Sequence, residues 1–289
     1  MRPCLEIPKP WSFSKRLDST TLPFQTQIQT SMKKLLSLFV LAALTSLPCP
    51  AQDWAKARLD QSPRHLEWIK IKSGEREVDS FIAYPEVKDK ATAVIVIHEI
   101  FGLTDWARSV TDELAEAGYI AIAPDLLTGT SGAKGASGAR DVIGSLPAEQ
   151  INGDLEAAVK YARSLPSCNG KVVVAGFCWG GGKSFRFAAA NPDIKAAFVF
   201  YGDAPSEKEM KKISCPVYGF YGENDARISA AVPKVSASMK EAGKTYEPKI
   251  YDGAGHGFMR AGEAPDAKEA NKKARDEAWK RWKEVLGKI

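Results

Sequence analysis

The chain has 289 residues, a formal net charge of +5, five cysteines and three histidines. Its 44% hydrophobic and 26% charged residues are ordinary for a globular protein and exclude disordered and collagen-like classes. The cysteines are too few for a disulfide scaffold and form no CxxC pair, which excludes zinc-ribbon and thioredoxin motifs. The length would allow two domains, but α/β folds often use about 250 residues as one.

The first part of the chain is typical of an export signal with an extension before it. Met32 precedes two lysines, residues 35–47 form an apolar run, and small residues follow. This order predicts a secretory signal peptide over 32–51, because the run is shorter than the about 20 residues that a membrane span needs. A buried helix or a membrane anchor is the alternative. A lipid anchor at Cys49 fits poorly, because Pro48 precedes it.

Residues 1–31 are rich in Pro and Thr and lack periodicity. Either the start codon is assigned too early and translation begins at Met32, or these residues are a disordered extension. Removal of residues 1–51 takes away six basic and two acidic residues and leaves 34 and 33, a net charge of +1. The charge therefore gives no reason to expect nucleic acid or a membrane as partner. We expect a periplasmic or secreted monomer without cofactor or metal, whose partner is a small molecule.

Strands and helices alternate along residues 52–289. Strands are predicted at 67–73, 78–86, 92–99, 119–125, 171–178, 196–202, 216–222 and 247–253, and helices at 104–117, 147–165, 180–190, 228–242 and 266–287. This alternation predicts a single-domain α/β fold, with a mostly parallel sheet of about eight strands and helices on both faces. The Gly-rich segment 128–140 is predicted as a mobile surface loop, with a lid over a site as the alternative.

A nucleophile pattern lies at one predicted strand-to-helix junction. Residues 176–180 read GFCWG, with Cys178 where a serine is usual in the G-x-nucleophile-x-G turn. The flanking glycines permit a sharp turn, and the start of the following helix favours a thiolate. The backbone N–H of Trp179 would be free to donate to an oxyanion. A buried structural cysteine is the alternative interpretation.

Candidates for the base and the acid lie after other predicted strands. His256 lies in a Gly-rich loop directly after the last strand, and Asp225 lies in a turn after the strand 216–222. Each could instead be an ordinary surface or turn residue, and Asp203 is the rival acid. The order nucleophile, acid, base, each after a strand, belongs to the α/β-hydrolase arrangement and predicts a Cys178–His256–Asp225 triad.

A fourth element follows the strand 92–99. In hydrolases of this type the loop after that strand supplies the second oxyanion donor, here the N–H of Ile100. Glu99 precedes it, and a carboxylate at the floor of an active site is costly to bury unless it is paired. A structural carboxylate bonded to loop amides is the alternative for Glu99.

Together these motifs resemble the dienelactone hydrolase family over roughly residues 75–286. The resemblance rests on HEIFGL (98–103), AGFCWGGG (175–182), YGENDAR (221–227) and GAGHGFMR (253–260). It implies that Glu99 contacts the resting thiol and takes its proton when substrate arrives, which protects the thiol from oxidation. It also implies that Arg260 binds a substrate carboxylate, a contact that arginine can make bidentately. Phe101 and Arg227 are further substrate-binding candidates.

The resemblance implies hydrolysis of a lactone or carboxylic ester through a thioester. The residues match the family's catalytic groups more closely than its substrate-binding groups, because the family's second arginine has only a weak candidate here, Arg140, and position 257 is glycine where a hydroxyl donor is expected. The alternatives are a carboxylesterase of unrelated specificity, a non-catalytic ligand-binding relative and a redox thiol protein. Cys168 and Cys215 could pair after export, but a predicted intervening strand favours two free thiols.

Overall fold

The computed structural model describes residues 52–133 and 135–289, so the predicted signal peptide and the segment before it lie outside the described residues. Residues Gln52–Ile289 form one compact unit. Its strands are β1 (Leu66–Ser73), β2 (Arg76–Ala83), β3 (Ala91–Ile97), β4 (Ile120–Pro124), β5 (Cys168–Phe177), β6 (Ala197–Phe200), β7 (Val217–Gly222) and β8 (Tyr246–Tyr251).

The helices of the described residues are α1 (Asp53–Asp60), α2 (Asp105–Glu116), α3 (Gly135–Val142), α4 (Ala148–Ser164), α5 (Trp179–Ala190), α6 (Glu207–Met210), α7 (Ala226–Ser229), α8 (Val232–Glu241), α9 (Phe258–Ala261) and α10 (Glu269–Leu286). A 3-10 turn, Ile143–Ser145, follows α3. The hydroxyl of Thr104 caps α2 by accepting from the N–H of Ala107.

The eight strands form one sheet in the order β1-β2-β4-β3-β5-β6-β7-β8. The pairs β1–β2 and β2–β4 are antiparallel, and all other neighbours are parallel. The prediction of a single-domain, mostly parallel α/β sheet is confirmed. The strand order reverses between β3 and β5, and in open α/β sheets such a reversal leaves a crevice at the carboxyl ends of the two strands.

The two faces of the sheet carry separate apolar cores. On β3, Ala93 and Ile95 pack on one face with residues of α4, α5 and α8, while Val94 and Val96 pack on the other with residues of α2 and α10. All seven residues of β3 are buried, which explains its uninterrupted apolar sequence. Helices therefore cover both faces, as predicted.

The predicted loop 128–140 is wrong in its second half, where α3 forms. Ala139 on this helix is buried and packs against Leu127 and Ile143, so a small apolar contact favours a helix in spite of the glycines. Likewise the predicted helix 228–242 is two helices, because a turn separates α7 from α8, and Pro233 lies in the first turn of α8. The short helices α6 and α9 and the N-terminal α1 are missing from the prediction.

A network of charged side chains joins the two ends of the described chain. Glu263, which is 5% exposed, binds Arg58 of α1 at 2.8 Å and Arg275 of α10 at 3.2 Å. Both arginines also bind Glu113 of α2. Pairing of this kind is what permits carboxylates to be buried. The network ties α1 to the C-terminal helix.

Cys168 and Cys215 are buried, free thiols. Cys168 is the first residue of β5 and Cys215 precedes β7, and β6 lies between these two strands. The predicted separation of the two cysteines is therefore confirmed. Among the described residues no helix is long and apolar enough to cross a membrane.

Candidate active site

The parallel strands bring the predicted site residues to one edge of the sheet. Glu99 follows β3, Cys178 follows β5, Asp225 follows β7 and His256 follows β8. Because the carboxyl ends of parallel strands meet at the same edge, four segments far apart in sequence converge there. Glu99 and Cys178 come from β3 and β5, the two neighbours between which the strand order reverses.

The turn that carries Cys178 is sharp and strained. Cys178 has φ of 56° and ψ of −118°, in the left-handed half of backbone space that L-residues avoid. A Cβ on Gly176 would lie 2.0 Å from the carbonyl oxygen of Gly180, and one on Gly180 would lie 2.4 Å from the carbonyl oxygens of Ile97 and His98. Only glycine fits at either position, and the turn places the thiol at the first turn of α5.

Cys178, His256 and Asp225 form a continuous chain of contacts. The Sγ atom of Cys178 lies 3.1 Å from Nε2 of His256, and Nδ1 of His256 lies 2.5 Å from Oδ2 of Asp225. Asp225 is 6% exposed, whereas the imidazole is 32% exposed. A buried carboxylate thus orients an accessible imidazole whose other nitrogen faces a thiol, which is the geometry that nucleophilic catalysis requires.

Two backbone N–H groups reach the sulfur of Cys178. They belong to Trp179, the first residue of α5, and to Ile100, in the loop after β3. Both lower the pKa of the thiol because a donor favours the thiolate. Burial of the thiol and the negative charge of Glu99 outweigh them, so the pKa of Cys178 is raised above its usual value. The resting thiol is therefore held towards its protonated form.

Glu99 is buried and paired with an arginine. Its Oε2 atom accepts a hydrogen bond from Nε of Arg260 at 2.7 Å, and its side chain is 4% exposed. The resemblance implies that Glu99 contacts the resting thiol, but here His256 makes that contact and Glu99 acts on Cys178 through its charge. Neutralisation by Arg260 explains how a carboxylate persists at the floor of the site.

The ring of Phe101 contacts two guanidinium groups. The Arg260 guanidinium carbon is 5.1 Å from the centre of the Phe101 ring, and that of Arg140 on α3 is 5.0 Å from the same ring. Both distances are typical of cation–π contacts. Arg227 on α7 is exposed, and its charge lowers the pKa of Cys178. Three arginines therefore lie close to Phe101 or Cys178, together with the negative charge of Glu99.

The remaining candidates lie elsewhere or have other partners. His65 is exposed beside Glu67, and Asp203, the rival acid, binds Arg186 at 2.6 Å. Tyr201 is missing from the sequence prediction: it follows β6 with φ of 41°, and its ring packs edge-on to His256 at 5.1 Å. Its position at a strand end was the available signal. No group of three or more His, Cys, Asp or Glu in the described ranges could hold a metal ion.

Replacement of Glu99 by glutamine should lower the pKa of the Cys178 thiol, because it removes a negative charge that raises this pKa. Alkylation by iodoacetamide, which consumes the thiolate, should then begin at a lower pH than in the wild type. The measurement is the alkylation rate against pH, corrected with Cys178→Ala. Asp203→Asn is the control, since Asp203 is bound to Arg186, and it should leave the profile unchanged. An unchanged or raised pKa in Glu99→Gln would contradict the electrostatic role of Glu99.

Comparison with known families agrees with this geometry. A family profile described as "Dienelactone hydrolase family" matches residues 78–289. The chain belongs to the dienelactone hydrolase family. It is accordingly a hydrolase, and the match includes every residue of the site described above.

Individual relatives support membership of the dienelactone hydrolase family. A provisionally named carboxymethylenebutenolidase of Saccharolobus solfataricus is 31% identical over 250 residues, which cover 74% of this chain and 95% of the relative. A protein of the same provisional name from Methylorubrum extorquens is 28% identical over 257 residues, 83% of this chain and 85% of that protein. The crystal structure of a provisionally named dienelactone hydrolase from Klebsiella pneumoniae superposes with a TM-score of 0.71 at 26% identity, covering 78% of this chain and 99% of the other.

Proposed function

We propose that this dienelactone hydrolase-like chain hydrolyses a lactone or carboxylic ester with Cys178 as nucleophile, His256 as base and Asp225 as the group that orients the base. The observation that carries the proposal is the contact chain from the thiol through the imidazole to the buried carboxylate, at 3.1 and 2.5 Å. Each of the three roles requires its group to lie within hydrogen-bond reach of the next.

In the first half of the reaction, His256 takes the proton of the Cys178 thiol and the sulfur attacks the carbonyl carbon of the substrate. The electron pair of the carbonyl bond moves to its oxygen, where the N–H groups of Ile100 and Trp179 stabilise the oxyanion. Collapse of this intermediate breaks the carbon–oxygen ester bond and leaves a thioester on Cys178. The imidazolium of His256 returns the proton to the leaving oxygen, which in a lactone stays attached to the same molecule.

In the second half, His256 removes a proton from water and the hydroxide oxygen attacks the thioester carbonyl. The same two N–H groups stabilise the second oxyanion. The carbon–sulfur bond then breaks, the carboxylic acid leaves, and the sulfur of Cys178 recovers its proton from His256. Asp225 keeps Nδ1 of His256 protonated throughout, so Nε2 is always the nitrogen that exchanges the proton.

An acyl group trapped on Cys178 tests the mechanism directly. Mixing the chain with p-nitrophenyl acetate, followed by an acid quench and intact mass spectrometry, should show one added acetyl group. The label should be absent from Cys178→Ala and present in Cys215→Ala, which removes another thiol of the folded unit. Labelling elsewhere, or none, would contradict Cys178 as the nucleophile.

We further infer that the substrate carries a carboxylate, because Arg227 acts on the thiol through its charge and two more arginines, Arg260 and Arg140, contact Phe101 in the loop after β3. Arg260→Ala should lower kcat/KM for lactones and esters with a carboxylate by about 10- to 100-fold, the effect of one charged hydrogen bond. Neutral esters should lose much less. The neutral esters also control for the loss of the contact between Arg260 and Glu99. Arg227→Ala is the matched variant, because it removes the charge of another arginine near Cys178. Equal loss on both substrate sets would refute carboxylate recognition by Arg260.

A further inference from the structure

His98 is a fully buried histidine beside the site that the triad does not use. It is the first residue after β3, and its Nε2 atom lies 3.3 Å from the backbone N–H nitrogen of Leu126. A backbone N–H can only donate, so Nε2 must carry the lone pair. The proton therefore sits on Nδ1, which lies 2.8 Å from the carbonyl oxygen of Glu99 and donates to it. Burial also lowers the pKa of His98, which favours this neutral form.

The carbonyl that His98 binds belongs to the peptide unit whose nitrogen is that of Ile100. A trans peptide is planar, and its C=O and N–H bonds point in opposite directions. A hydrogen bond that fixes the carbonyl of Glu99 therefore also fixes the direction of the Ile100 N–H, which reaches the sulfur of Cys178. The N–H of Gly102 donates to the same carbonyl oxygen at 3.2 Å.

The side chain of Trp179 contacts the same imidazole. The rings of His98 and Trp179 are stacked, with centroids 5.8 Å apart and planes 11° apart. Trp179 supplies the second N–H that reaches the sulfur. One buried ring thus contacts both donor segments, and its bond to Leu126 anchors it to the loop after β4.

We propose that His98 is a positioning residue that holds the Ile100 and Trp179 N–H groups in place for the oxyanion. The proposal rests on the proposed function. Its physical basis is that oxyanion donors stabilise a transition state only when they are fixed before the reaction. Glu99 binds Arg260 with its side chain and His98 with its main chain. Movement of the side chain on substrate binding would therefore leave the Ile100 N–H in place.

Two amide variants of the full chain separate positioning from packing. In His98→Asn the side-chain nitrogen lies near the position of Nδ1 and can still donate to the Glu99 carbonyl. In His98→Gln the longer side chain can accept from Leu126 instead, and the donor to Glu99 is lost. We expect kcat for p-nitrophenyl acetate to fall about 10- to 100-fold in His98→Gln, as for a weakened oxyanion donor. KM should change little, and His98→Asn should retain more of kcat.

A readout independent of turnover is the pKa of Cys178, taken from the pH dependence of alkylation. It should rise in His98→Gln, because the Ile100 N–H no longer stabilises the thiolate, and stay near the wild-type value in His98→Asn. Equal kcat and equal thiol pKa in the two variants would overturn the proposal. If wild type hydrolyses no ester, the proposed function fails, while the thiol measurement still tests His98.

The tautomer can be measured without any variant. Long-range ¹H–¹⁵N spectra of the wild-type chain labelled with ¹⁵N-histidine should show His98 protonated at Nδ1 alone at neutral pH. Since the chain has three histidines, one of them assignable through His65→Gln, the signals can be separated. Protonation at Nε2 would remove the bond to the Glu99 carbonyl and overturn the proposal.

Discussion

Alanine in place of Cys178 should lower kcat for ester and lactone hydrolysis by at least about 10⁴-fold, as in other enzymes that lose their nucleophile. The reason is that the amides of Ile100 and Trp179 could still bind a carbonyl oxygen, but no atom would remain to attack the carbon. The measurement is steady-state hydrolysis of p-nitrophenyl acetate and of an unsaturated γ-lactone.

Cys178→Ser gives a sharper comparison. Serine fits the same turn, but its hydroxyl is much less acidic than a thiol, so activity should fall strongly while folding is preserved. Circular dichroism and the urea midpoint of each variant supply the control for folding, and a retained midpoint is expected because Cys178 is only half-buried. Hydrolysis by a well-folded Cys178→Ala at a rate near wild type would end the nucleophile assignment.

Replacement of Asp225 by asparagine should reduce kcat by about 10²- to 10⁴-fold with little change in KM. The NH2 group of an asparagine can donate a hydrogen bond to Nδ1 of His256, which favours the tautomer with its proton on Nε2, the nitrogen that must accept from the thiol. The contact of 2.5 Å between Oδ2 and Nδ1 makes this residue the only orienting carboxylate of His256 among the described side chains.

The matched control is Asp203→Asn, because Asp203 follows the neighbouring strand β6 but binds Arg186 instead of a catalytic group. It should keep at least half of the wild-type kcat. Similar losses in the two variants would mean that Asp225 is a structural turn residue. A loss confined to KM would place Asp225 in substrate binding instead of base orientation.

Much of the fold could be predicted because parallel strands buried on both faces have a distinctive sequence. The run at 92–97 is β-branched except for Ala93, and the strand there has every residue buried. A capping hydroxyl at the start of a helix, such as that of Thr104, is an equally local signal. The helix α3 could not be predicted, because its glycines lower its helix propensity and a tertiary contact of Ala139 decides its conformation.

The candidate site could likewise be predicted only in part. Cys178, Asp225 and His256 could be proposed from their order at strand ends, because the topology of the fold brings those ends together. The contacts of Glu99 with Arg260 and of Arg140 with Phe101 depend on side chains from distant segments. The role of His98 depends on which ring nitrogen meets which backbone group. No local pattern encodes distances of this kind.

The charged network between the chain ends has a consequence for synthesis. Ribosomes make the chain from its N-terminus, so α1 emerges first, but Glu263 and Arg275 are among the last residues made. Until they emerge, Arg58 has no Glu263 to bind, and Glu113 lacks one of its two arginines. α1 can therefore pair with α2 through Glu113 early in synthesis, but the carboxylates of the network gain their full set of arginines only after the C-terminal helix has been made.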